Sequence, residues 1–114
     1  MSKLKVNFVD FWNGFSKTDN YFYHLLSKKY ELEIEEEDPD VLFFSVDYSL
    51  KKESLKYADK KCLKIFYTGE SVSPNFDKKD PIQCSNFQAN YSIAKCDISF
   101  SFDKTTDKNF RLPF

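Results

Sequence analysis

Six residues, Val41-Leu42-Phe43-Phe44-Ser45-Val46, narrow the choice of fold more than any other part of the chain. Successive side chains of a strand point to opposite faces, so a run that is apolar at nearly every position has no face to offer water. It reads as a parallel strand covered on both sides. A helix is predicted over about 49–60, and residues 63–68 (Leu-Lys-Ile-Phe-Tyr-Thr) follow it as a second strand.

Flanking segments extend the pattern. Residues 4–11 alternate like a strand and stop at Trp12-Asn13-Gly14. Thr18 or Asp19 stands where it would cap a helix whose apolar positions are Phe22, Leu25, Leu26 and Tyr30. Residues 30–35 are apolar on one side and acidic on the other, which suits an edge strand. Residues 97–102 put Ile98, Phe100 and Phe102 on one face and serines on the other. Strands separated by helices and joined by short connections predict one α/β domain, a single Rossmann-like parallel sheet flanked by helices. With 114 residues, 41% of them hydrophobic, such a domain can bury roughly two thirds of its unfolded surface. Its core is expected to be built around rings, since aromatic residues make up 18% of the chain, most of them Phe (13) and Tyr (7).

Composition also excludes several classes of function. The net charge is −1 and the lysines are scattered singly or in pairs, so there is no basic stripe for a nucleic acid. No run approaches the ~18 apolar residues of a membrane span, and no signal peptide opens the chain. The expectation is a cytoplasmic domain without a transmembrane segment; any membrane association would come from segments outside it. Cys62, Cys84 and Cys96 are read as small buried hydrophobes in a reducing compartment. His24 is the one histidine, so a histidine-based metal site is not expected and it is assigned to the surface of the first helix. Glycine-rich phosphate loops are absent.

Both glycines, Gly14 and Gly69, fall just past the carboxyl ends of strands, the edge of an open α/β sheet where ligands bind. Near Gly14, Phe11 and Phe15 are read as seals on the core. Trp12 admits two roles, core packing or a platform for the apolar face of a sugar beside the hydrogen-bonding Asn13. Glu70 likewise admits two, an exposed turn residue or a carboxylate held at a strand tip as a general base. Asp38-Pro39-Asp40 has the form of a metal-binding Asp-x-Asp, but it precedes a strand and so belongs to a turn at the amino edge of the sheet.

Six segments in order carry a resemblance: Asp10-Phe11-Trp12-Asn13-Gly14-Phe15, Asp38-Pro39-Asp40-Val41-Leu42-Phe43-Phe44-Ser45, Ile65-Phe66-Tyr67-Thr68-Gly69-Glu70, Ser73-Pro74-Asn75-Phe76, Cys96-Asp97-Ile98-Ser99-Phe100-Ser101-Phe102-Asp103 and Phe110-Arg111-Leu112-Pro113. Together they are similar to successive blocks of the bacterial-type α-1,3/4-fucosyltransferases. The resemblance implies the amino-terminal, acceptor half of a GT-B enzyme, an inverting transferase moving L-fucose from GDP-fucose to an N-acetylglucosamine-containing glycan. It implies Glu70 as catalytic base, with Trp12, Asn13 and Gly69 on the acceptor side. GDP-fucose would be held by a donor-binding domain, in cis or in trans, and no cofactor is expected in this chain. The chain lacks a basic clamp for a diphosphate and is expected not to transfer fucose alone. Val72 stands where some relatives carry a second glutamate, and residues 77–95 read as an insertion loop. The alternative is a non-catalytic glycan-binding or assembly module of the same fold.

Overall fold

A computed structural model describes residues 1–45, 53–67, 96–101 and 107–111. Six parallel strands form one sheet: β1 (Ser2–Val9), β2 (Tyr30–Ile34), β3 (Val41–Phe44), β4 (Leu63–Tyr67), β5 (Ile98–Ser101) and β6 (Asn109–Arg111), in the order β2-β1-β3-β4-β5-β6. Helix α1 (Tyr21–Leu26) joins β1 to β2, and a short 3-10 helix (Glu53–Tyr57) lies between β3 and β4. The sheet steps one way from β1 to β2 and the other way from β3 onward. Right-handed crossovers therefore send the two helices to opposite faces.

Register explains the core. Val6 pairs with Val41, Phe8 with Phe43, Phe43 with Ile65, Ile65 with Ile98 and Tyr67 with Phe100, so one face is a continuous apolar surface. Phe22 of α1 packs into it, 4.9 Å from the Phe43 ring and 5.3 Å from Phe100. On the other face Val9 pairs with Phe44 and Phe44 with Phe66. Phe43 and Phe44 are both buried although they point opposite ways, as expected of a run apolar on both faces; Val46 of that run lies outside the described residues. Lys64 shares the second face and is accommodated because its ammonium donates to the Lys60 and Cys62 carbonyls, at 2.6 and 3.3 Å. Cys62 and Cys96 are buried hydrophobes, as expected, whereas Cys84 lies outside the described residues.

The edge position of β2 agrees with its wet acidic side, Glu31 and Glu33 being exposed. Asp38-Pro39-Asp40 is a turn at the amino edge, where the Asp40 carboxylate accepts from the Lys5 N–H at 2.9 Å. His24 is exposed on α1, 2.8 Å from Asp19. Three expectations are corrected. The cap of α1 is Asn20, not Thr18 or Asp19, and the helix ends at Leu26, leaving Leu25 exposed and Tyr30 in β2. Within 49–60 the described turn is 3-10: its buried residues, Ser54 and Tyr57, are three apart, the period of that helix. β1 stops at Val9 because Asp10 turns left-handed, with φ 61°.

Tyr57 ties the 3-10 helix to the sheet. Its hydroxyl donates to the Glu36 carbonyl and accepts from the Asn7 amide at 3.0 Å. Burial, opposed in part by the Asn7 hydrogen bond, pushes its pKa above the ordinary 10.0. A raised folded-state value means that its contribution is complete below the unfolded pKa and is lost as pH climbs from about 10 through the folded value. The urea midpoint of the native chain is accordingly expected to fall more steeply above about pH 10 than that of Tyr57→Phe. Parallel slopes would contradict it.

Candidate functional site at the carboxyl edge

The order of the sheet reverses between β1 and β3, and the loop after β1 leaves from that switch point, the usual ligand crevice of an open α/β sheet. Asp10 begins the loop, 3% exposed, with its carboxylate accepting from the backbone N–H groups of Glu53 (3.0 Å) and Ser54 (2.9 Å). Gly14 has φ 83°, and the Phe15 N–H closes the turn on the Trp12 carbonyl at 3.2 Å. A Cβ at Gly14 would meet nothing within 4 Å, so the glycine is required by its backbone angle and not by space.

Phe11 is buried and stacks on the half-buried Phe15 with centroids 4.1 Å apart, in keeping with their expected sealing role. Trp12 stands edge-on to both rings, at 5.6 and 5.1 Å, and is 46% exposed. Farther along, the Asn20 amide donates to the Ser16 and Lys17 carbonyls at 2.9 and 3.2 Å while its oxygen accepts from the Tyr23 N–H at 2.9 Å. One side chain thus fastens the loop and caps α1. Lys17 reaches back to the Asn7 oxygen at 2.9 Å.

Beside this loop opens a cleft of about 760 Å³, within the range of small-molecule sites. Tyr67, Phe100 and Phe110 form its floor, and Trp12, Phe15 and Tyr21 its wall; Asp19 and Arg111 bring charge to it. The carboxyl end of β4 is pinned where it enters the cleft, since the buried Ser45 hydroxyl donates to the Tyr67 carbonyl at 2.7 Å.

Of the residues singled out from sequence, Trp12 lines the cleft. Asn13, on the same loop, borders a second hollow with Asp10, Lys17 and Glu53, which Trp12 also lines. Gly69 and Glu70 lie outside the described residues, as does the stretch 77–95. Among the described residues no group of three or more His, Cys, Asp or Glu stands together to hold a metal ion, and no helix is long and apolar enough to cross a membrane. The floor was missed by sequence reasoning. Its signal was parity: Tyr67 shares a face with Ile65, and Phe110 pairs with Phe100.

The family model of the α-(1,3)-fucosyltransferase FucT N-terminal domain matches residues 6–114. The chain belongs to this family. The matched span begins within β1 and takes in the Trp12 loop, α1 and every strand that lines the cleft, so the fucosyltransferase domain and the sheet described above are the same unit. No curated protein and no solved structure matches the chain.

Proposed function

We propose that this fucosyltransferase domain binds the acceptor, presenting a hydroxyl of an N-acetylglucosamine-containing glycan to the donor GDP-fucose. The observation that carries this reading is the half-exposed Trp12 indole at the wall of an aromatic cleft, in a chain of this family. A pyranose offers one face of C–H groups and a rim of hydroxyls. An open ring flanked by polar groups receives the first by stacking and leaves the second free to hydrogen-bond.

Glu70 is assigned as the base. Inverting transfer forms a bond from the acceptor oxygen to C1 of fucose as the bond from C1 to the GDP oxygen breaks; GDP departs with the electron pair, and the hydroxyl proton passes to a carboxylate. Tyr67 is on the cleft floor, and Glu70 follows it by three residues, so covalent geometry keeps the two Cα atoms within about 11 Å. Gly69 between them lets an acceptor approach the backbone. The nucleotide would be held by a donor-binding half, in cis or in trans.

Calorimetric titration with N-acetyllactosamine tests the platform. Trp12→Ala is expected to weaken binding at least about tenfold, in line with loss of an aromatic anchor. Native affinity in that variant would remove Trp12 from the site, and heat from GDP-fucose in place of the glycan would reverse the assignment of the two substrates.

A further inference from the structure

Asp10 combines three features that ordinary turn residues do not share. Its backbone is left-handed, a conformation that Asp tolerates better than most residues but that is uncommon outside glycine. Its side chain is almost wholly buried, and each carboxylate oxygen takes one backbone N–H, from Glu53 and from Ser54. Those partners lie 43 and 44 residues away in sequence, on the 3-10 helix that packs against the opposite face of the sheet.

Trp12 comes two residues later. The direction in which the chain leaves Asp10, a left-handed residue clamped to another element, sets where the Trp12 backbone lies, and from there the indole packs edge-on to Phe11 and Phe15. The loop has a second tether at Lys17, whose ammonium is 2.9 Å from the Asn7 oxygen and 3.7 Å from the Glu36 carboxylate. Trp12 lies between the two tethers and is half-exposed.

We infer that Asp10 is the positioning residue of Trp12: its buried carboxylate, bridging β1 to the 3-10 helix, holds the indole at its place over the cleft. The consequence for glycan binding rests on the acceptor role proposed for Trp12; the consequence for the indole itself does not. An interaction surface held in place before the ligand arrives binds more tightly because less order is lost on binding.

Trp12 is the single tryptophan of the chain, so fluorescence excited at the red edge, where tyrosine does not absorb, reports on this position alone, and the longest-wavelength near-UV dichroism band is its own. Two variants of the full chain are compared with the native protein well below their melting temperatures. Asp10→Gly keeps the left-handed backbone and removes both hydrogen bonds. Asp10→Asn keeps the shape and one acceptor oxygen.

Asp10→Gly is expected to raise acrylamide quenching of Trp12, to lose its near-UV band and to bind N-acetyllactosamine roughly tenfold more weakly. Asp10→Asn should fall between this variant and the native chain, and it decides the matter if the glycine variant does not fold. A lowered melting temperature with native quenching and a native near-UV band would make Asp10 a cap of the 3-10 helix and nothing more, overturning the inference. Altered indole spectra with unchanged glycan affinity would uphold the positioning and refute the platform. If the native chain fails to bind the glycan, the acceptor reading falls while the spectra still decide the role of Asp10.

Discussion

Replacing Glu70 by Gln, in a protein that carries both this domain and a donor-binding half, is expected to lower fucosyl transfer by roughly 10²- to 10⁴-fold, the range of a lost general base. The amide has the shape of the carboxylate but cannot take up the acceptor proton. Because that proton moves only in the transition state, kcat and kcat/KM should fall together with the acceptor KM little changed. Urea unfolding should be unaltered, which separates lost chemistry from lost structure. Near-normal turnover would remove Glu70 from the reaction. The supports on the near side of this residue are in place: β4 is paired on both sides, and its last carbonyl is held by Ser45.

The largest loss of stability is expected from Phe44→Ala. Phe44 has no exposed surface, pairs with Val9 and Phe66 across the register, and has the Phe66 ring 5.3 Å away. Truncating a fully buried phenylalanine costs about 3–5 kcal/mol through lost transfer energy and the cavity left behind, against a total of about 5–15 kcal/mol for a domain. Urea midpoints should therefore collapse for Phe44→Ala, whereas Leu25→Ala, at an exposed helix position, should stay within about 0.5 kcal/mol of native. A small effect at Phe44 would mean that the second sheet face is not closely packed.

The parallel sheet was legible because burial on both faces leaves a mark in sequence: Val41-Leu42-Phe43-Phe44 has no polar side to spare. The edge strand was legible for the opposite reason, its acidic side being wet. Helical pieces were harder. Asn20 displaced Thr18 and Asp19 as cap because it can serve the loop and the helix at once, a three-dimensional fact without a spacing rule. The 3-10 turn was read as part of a longer helix over about 49–60, whereas its buried residues, Ser54 and Tyr57, have the spacing of three that belongs to a 3-10 helix. β6, three residues long, is too short to show any period.

The candidate site was half legible. Trp12 and Gly14 announced a strand-end loop, and the family segments drew attention to Glu70. The aromatic floor depended on which face Tyr67, Phe100 and Phe110 share, and so on register. Asp10 stood at the head of the first family segment, but its partners could not be read there, since they lie more than forty positions away.

The most direct test of the acceptor assignment is an amide and indole chemical-shift titration of the chain with N-acetyllactosamine. Saturable shifts are expected at the Trp12 indole and at the amides of Phe15, Tyr67, Phe100 and Phe110, with Leu32 and Ile34 of the far edge unmoved. An unmoved Trp12 indole, or shifts confined to the opposite face around Asn7 and Tyr57, would contradict it.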